Sequence, residues 1–163
     1  MGLAPTPIDF SQVDLLYLRS ISLGIICSEW NESITSLLLS NCLDRLHELG
    51  FKDSQLFICR VPGVFEIPIA SKWVLELPQI DGVITLGCVI KGETSHDDVL
   101  NHAVSKTLLH IQIKYSKPLA LGILTVNNLE QAKSRTIGPV SKKGEECADV
   151  ICKMLLLKRT IQI

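Results

Sequence analysis

Short, continuous apolar segments alternate along the chain with longer segments whose apolar residues recur every three or four positions. Four apolar segments have the length of a strand buried on both faces, namely residues 21–27, 55–60, 82–90 and 118–126. Helical spacing is found in residues 33–49, from residue 67 to Pro78, and in residues 95–115, 129–135 and 143–158. In the segment 95–115, the predicted inner side carries Val99, Ala103, Leu108, Ile111 and Tyr115.

Strands that alternate with helices predict a parallel sheet, because right-handed crossovers place the helices on both of its faces. The fold class predicted is α/β, a three-layer α/β/α domain with a four-stranded parallel sheet over residues 20–163. Residues 1–19 contain Pro5 and Pro7 and are predicted to form an extended arm. Ligands of such sheets bind beyond the carboxyl ends of the strands, so the chemistry is expected after Cys27, Arg60, Ile90 and Val126.

Composition and charge narrow the class of protein. The chain has 16 basic and 17 acidic residues, a balance that predicts neither nucleic acid nor membrane as a partner. No apolar run is long enough to span a bilayer, and Asp9, Asp14 and Arg19 interrupt any signal-peptide core. The six cysteines form no CxxC pair and suggest no metal site. A reducing compartment is expected for the protein, either the cytosol or a plastid. The location predicted for it is the cytoplasm.

Trp30 and Asn31 follow the first predicted strand and therefore lie at the ligand edge of the sheet. An aromatic side chain at this edge can stack on a planar heterocycle. Two simpler interpretations stay open: Trp30 packs on a neighbouring segment of the loop, and Asn31 caps the helix that follows.

The segment VPGVFEIP, residues 61–68, follows the second strand. Phe65 is a second candidate platform for a ring, and Glu66 lies near a helix start, where the helix dipole favours a carboxylate. An ordinary junction of strand, turn and helix explains these residues equally simply.

The segment KGETSH, residues 91–96, follows the third strand. Thr94 and Ser95 bring hydroxyls to a helix N-terminus, whose unpaired N–H groups bind phosphate. His96 can move protons near neutral pH. The alternative is a Thr or Ser cap with a solvated histidine and a charged first turn.

Basic residues follow the fourth strand. Arg135 ends a short predicted helix, and Lys142 and Lys143 follow nearby. Arginine binds phosphate through two parallel hydrogen bonds, although the dipole also favours a basic residue at any helix C-terminus. The sequence contains no Walker loop, no G-x-G-x-x-G and no Ser-His-Asp signature.

Taken together, these segments resemble the lumazine synthase family over about residues 20–158. The motifs that carry the resemblance occur in the family's order and spacing. They are Trp30-Asn31, VPGVFEIP (61–68), GCVIKGETSH (87–96), GILTV (122–126), EQA (130–132), Arg135, and Lys143-Gly144.

The resemblance implies a flavodoxin-like sheet and a transferase of riboflavin biosynthesis. The family condenses 5-amino-6-(ribitylamino)pyrimidinedione with 3,4-dihydroxy-2-butanone 4-phosphate to give 6,7-dimethyl-8-ribityllumazine. No metal or organic cofactor is implied. The alternative is a non-catalytic scaffold of the same fold that binds flavin or lumazine.

Residue roles follow from the resemblance only where residues match. Trp30, with Asn31 beside it, would stack on the pyrimidine ring, and Val64, Phe65 and Glu66 would line the ribityl side. Val89 and Ile90 would flank the ring, and Glu93 and Thr94 would cradle the phosphate. The implied catalytic residues are His96 as proton carrier, Arg135 as phosphate clamp and Lys143 in a supporting role near the adjacent subunit's site.

The chain departs from the family pattern at two places. Leu121 stands where the family commonly has a phenylalanine that reaches in from the neighbouring subunit. The loop 136–144 keeps the family's length but not its Gly-rich composition. The resemblance implies a homopentamer with active sites between subunits, and the absence of an insertion in this loop also permits a shell of twelve pentamers.

Overall fold

The computed structural model describes residues 6, 15–94, 96–138 and 142–161, with the backbone alone for residues 15 and 96. The strands in this part of the chain are β1 (Leu23–Ser28), β2 (Leu56–Val61), β3 (Gly82–Ile90) and β4 (Leu119–Val126). The helices are α1 (Leu15–Leu18), α2 (Glu32–Glu48), α3 (Ile67–Leu75), α4 (His96–Tyr115), α5 (Leu129–Ser134) and α6 (Lys143–Thr160). Single 3₁₀ turns, Asp53–Gln55 and Val64–Glu66, precede β2 and α3.

The four strands form one parallel sheet in the order β2-β1-β3-β4. Every residue of the central strand β1 is buried, as its continuous apolar sequence requires. The chain runs from β1 outward to β2 and then crosses back to β3. The direction of winding therefore reverses between β1 and β3, which opens a crevice at their carboxyl ends.

Helices cover both faces of the sheet. Ile25 and Cys27 of β1 pack against α2 and α6, whereas Ile26 points to the opposite face and packs against α3 and α4. This alternation follows from the two-residue period of a strand. The predicted three-layer α/β/α architecture is confirmed. In the described part of the chain, no helix combines the length and the apolar character needed to cross a membrane.

The structure differs from the predicted arm at its last residues. Leu15–Leu18 forms one helical turn, where an extended chain was predicted. Leu18 is buried in the same core as Ile21 and Phe51, so tertiary packing determines the local conformation here. The first five residues and residues 7–14 lie outside the described part, and the predicted boundary after residue 19 stays a prediction.

The inner face of α4 was predicted incorrectly at two positions. Val99 is 68% exposed and Ala103 is also exposed, whereas Val104 and Leu108 are buried. Each helical residue turns by about 100°, so Val99 lies almost opposite Val104. Leu108, Ile111 and Tyr115 do contact the core as predicted.

Helices α2 and α6 approach each other closely at Gly144. A Cβ atom added to Gly144 would overlap the carbonyl oxygen of Leu38 and would lie 2.9 Å from the backbone nitrogen of Cys42. Arg45 and Asp149 also join these helices, with 2.8 Å between Nε and Oδ1. The backbones therefore pack with no room for a side chain at residue 144.

We predict that Gly144→Ala lowers the free energy of unfolding by about 3 kcal/mol, because the two backbones must separate to admit the methyl group. Denaturant unfolding at a fixed protein concentration measures this. Gly92→Ala is the matched control, since an added Cβ there meets no atom within 4 Å. Equal unfolding midpoints for the two variants would contradict the prediction.

Candidate active site

A cavity of about 220 Å³ lies where the carboxyl ends of β1 and β3 meet. Its lining combines an aromatic ring, apolar side chains and a few polar groups. The lining residues are Trp30, Asn31, Val64, Cys88, Val89, Ile90, Gly92, Thr94, Asp97 and Leu100. Six of the predicted site residues are among them, contributed by three strand ends, so the crevice expected from the strand order is the place where they converge.

Asn31 connects the loop after β1 to strand β3. Its backbone adopts the left-handed conformation, with φ 60° and ψ 44°, which asparagine tolerates better than most residues. The side-chain Nδ2 donates a hydrogen bond of 2.9 Å to the carbonyl oxygen of Cys88. The simpler interpretation, that this side chain caps α2, is wrong, because it makes no capping hydrogen bond there.

Trp30 extends over the mouth of the cavity. Its backbone nitrogen donates to the carbonyl oxygen of Pro62 at 3.1 Å, which fixes the loop against the end of β2. The indole is 75% exposed, so packing within the subunit does not account for it. A large, exposed ring among the lining residues of a cavity is suited to contact a planar molecule.

The residues after β2 are divided between two places. Val64 is buried in the cavity wall, whereas Phe65 and Glu66 line a separate groove of about 470 Å³ between α3 and α4. Glu66 Oε2 accepts a hydrogen bond of 2.9 Å from the backbone nitrogen of Gly63, so this carboxylate stabilises the 3₁₀ turn. Within one subunit, Phe65 and Glu66 do not join the cavity.

Helix α4 begins at the rim of the cavity. Thr94 lines the cavity two residues before the helix, and Glu93 is exposed next to it. His96 is the first residue of α4, but its side chain and the whole of Ser95 lie outside the described residues. The helix N-terminus supplies backbone N–H groups and a positive dipole end close to the cavity.

Arg135, Lys143 and Leu121 belong to a different part of the subunit. Arg135 is half-buried at the end of α5, and its carbonyl oxygen accepts a hydrogen bond of 2.8 Å from the backbone nitrogen of Lys143. Lys143 Nζ lies 3.3 Å from Glu146 Oε2. Leu121 is exposed on the edge strand β4. These three residues do not line the cavity between β1 and β3.

Comparison with known proteins adds an independent observation. A family model described as 6,7-dimethyl-8-ribityllumazine synthase matches residues 20–159. The chain belongs to this family. The enzyme of that name from Rhodopirellula baltica is 39% identical over 141 residues, covering 86% of this chain and 91% of the relative. The one from Cytophaga hutchinsonii is also 39% identical, over 138 residues, covering 85% and 87%. The enzyme of Phocaeicola vulgatus is 34% identical over 144 residues, covering 88% and 86%.

The predicted lumazine synthase site did not include four of the cavity residues: Cys88, Gly92, Asp97 and Leu100. Burial raises the pKa of the Cys88 thiol to about 11, so this cysteine stays neutral at physiological pH and is a poor nucleophile. Asp97 belongs to the charged first turn of α4, and the structure buries it. Thr94 precedes the helix, so helical spacing gave no signal that would have placed Asp97 beside it.

Among the described residues, no three His, Cys, Asp or Glu side chains converge where they could hold a metal ion.

Proposed function

We propose that this chain catalyses the condensation of 5-amino-6-(ribitylamino)pyrimidinedione with 3,4-dihydroxy-2-butanone 4-phosphate to form 6,7-dimethyl-8-ribityllumazine. The observation that carries the proposal is the cavity between β1 and β3, where Trp30, Asn31, Val89, Ile90 and Thr94 converge. It combines a surface for a flat heterocycle with the N-terminus of α4, which favours an anion. One site can therefore hold both reactants.

The reaction needs positioning and proton transfer more than a reactive cofactor. The amine of the pyrimidinedione attacks the ketone carbonyl, and water leaves to give an imine. Inorganic phosphate is then eliminated, the enol tautomerises, and ring closure releases a second water. Electrons are neither gained nor lost overall, so no redox partner is required. Holding the reactants in contact accounts for much of the acceleration.

The lining of the cavity and the family pattern support the proposed residue roles, and for His96 the support is the family pattern alone. Trp30 stacks on the pyrimidinedione, while Val89 and Ile90 flank it. Thr94, the backbone at Glu93 and the start of α4 hold the phosphate. The proton carrier is His96.

The site is proposed to be completed by a second subunit. Arg135, Lys143 and Leu121 lie away from the cavity of their own subunit, yet the phosphate needs a cationic partner. The groove between α3 and α4 and the exposed Trp73 also leave apolar surface uncovered. We propose a homopentamer in which these three residues reach the cavity of the adjacent subunit, with Phe65 and Glu66 near the same interface.

Mixed assemblies test this arrangement. When His96→Ala and Arg135→Ala subunits are reassembled in equal amounts, about one quarter of the sites should combine an intact histidine with an intact arginine. Activity should then rise well above that of either variant alone. If both residues served the same subunit's site, mixing would restore nothing.

A second mixture provides the control. Wild-type subunits mixed equally with the His96→Ala/Arg135→Ala double variant should retain about one quarter of the sites if these are shared between subunits. About one half should remain if each site lies within one subunit. The two mixtures together distinguish a shared site from poor reassembly.

Release of inorganic phosphate tests the reaction itself. Phosphate should appear only when the pyrimidinedione amine is also present, in a one-to-one ratio with lumazine. Tight binding of lumazine or flavin without phosphate release would instead identify a non-catalytic binding scaffold.

The proposal also places the enzyme in the cytoplasm, where its six free cysteine thiols would stay reduced.

A further inference from the structure

Asp97 is an acidic residue buried in the wall of the cavity. Its side chain lines the cavity with Thr94 and Asn31, and the residue is only 8% exposed. The Oδ1 atom is buried and has no hydrogen-bond partner among the described residues. Burying a carboxylate oxygen without a donor is costly, and such groups are normally paired in folded proteins.

Asn101 lies one helical turn after Asp97 on the same face of α4. Its Oδ1 and Nδ2 atoms are also buried and have no hydrogen-bond partner in the described part of the chain. The lining of the cavity includes Asp97 but not Asn101, so only the Asp97 oxygen points to a missing partner there.

The chemistry of Asp97 determines which reactant can supply that partner. A carboxylate accepts hydrogen bonds and repels anions, so it does not bind the phosphate of the second substrate. Within one subunit, the lining residues of the cavity include no lysine or arginine that could neutralise it, and the Arg135 proposed to reach the cavity from the adjacent subunit is assigned to the phosphate. The pyrimidinedione, by contrast, carries N–H groups on its ring and on its exocyclic amines.

We propose that Asp97 accepts a hydrogen bond from an N–H group of the pyrimidinedione substrate and so determines the orientation of that substrate in the cavity. This inference rests on the proposed function, because it concerns the same site. Asp97 binds the amine-bearing ring, and the phosphate is left to the backbone N–H groups and to the arginine.

The test compares Asp97→Asn and Asp97→Ala with the wild-type oligomer. Asp97→Ala removes a hydrogen bond to a charged group, so it should raise the KM for the pyrimidinedione about 10-fold to 100-fold. Asp97→Asn should have an intermediate effect. The KM for the butanone phosphate should change less than about twofold, since Asp97 does not contact that substrate. Asp98→Asn is the matched control, because this neighbouring carboxylate is exposed.

Thermal unfolding without substrate separates recognition from a structural role. If Asp97 serves to bind the ligand and does not stabilise the fold, its replacement removes an unpaired buried charge. The Tm should then rise by about 2 °C or more. A lower Tm combined with an equal rise in both KM values would show a structural role and overturn the proposal. An unchanged KM for the pyrimidinedione in Asp97→Ala would overturn it as well.

Calorimetric titration with the pyrimidinedione alone measures the binding of this substrate without catalytic turnover. Wild-type protein should bind the compound, and Asp97→Ala should bind it about 10-fold to 100-fold more weakly. Failure of the wild type to bind would contradict the proposed function. Equal binding by wild type and Asp97→Ala would contradict only the role of Asp97.

Discussion

Replacing Arg135 with alanine should reduce kcat/KM for 3,4-dihydroxy-2-butanone 4-phosphate by about 10²-fold to 10⁴-fold, mostly through a higher KM. A guanidinium binds a phosphate through two parallel charge-assisted hydrogen bonds, and each contributes about 1.5–3 kcal/mol. The KM for the pyrimidinedione should stay within about twofold, because the arginine contacts the other reactant. Steady-state kinetics with each substrate varied in turn measures both effects.

Two further variants make the Arg135 result specific. Arg135→Lys keeps the charge but loses the paired geometry, so it should recover only part of the lost kcat/KM. Lys133→Ala removes an exposed positive charge from the same short helix and should leave both KM values unchanged. Normal use of the phosphate substrate by Arg135→Ala would refute the clamp. Equal losses in Arg135→Ala and Lys133→Ala would show a diffuse electrostatic effect instead.

His96→Ala should lower kcat by about 10²-fold or less while leaving both KM values nearly unchanged, because a proton carrier acts on the bound reactants. Part of the rate should persist, since two reactants held in contact condense without a dedicated base. Single-turnover measurement of lumazine formation isolates this step from product release.

The control for His96 lies on the same helix. His102 is exposed, and its Nδ1 atom lies 2.8 Å from the carbonyl oxygen of Asp98. His102→Ala should therefore leave kcat unchanged. Complete loss of activity in a folded, assembled His96→Ala variant would contradict the view that positioning dominates. An unchanged kcat would remove His96 from the mechanism.

The architecture could be predicted from the sequence because the burial of the apolar strands determines it. Strands such as β3, with nine residues and almost no polar interruption, fit only the interior of a parallel sheet covered on both faces. The same pattern could not place Leu15–Leu18, because Leu18 joins a core built by residues distant in sequence. It also could not assign the inner face of α4, where apolar residues such as Val99 occur on the exposed side as well.

The site was predictable to the extent that strand ends determine it. Trp30, Val89 and Thr94 converge because their strands end at one edge of the sheet. Asp97 could not be recognised from its sequence, because a charged first turn at a helix N-terminus is usually solvated. Its burial depends on how α4 lies against β3, a tertiary relation that helical periodicity does not contain. Likewise, the separation of Arg135 from the cavity became visible only in the folded subunit.

Formation of lumazine from both substrates tests the central claim most directly. Purified protein is mixed with an excess of the pyrimidinedione and the butanone phosphate, and the product is followed by its absorbance and fluorescence. The account predicts many molecules of product per subunit, at a rate well above that of the reactants alone. A folded oligomer that binds both compounds yet does not exceed the uncatalysed rate would contradict it.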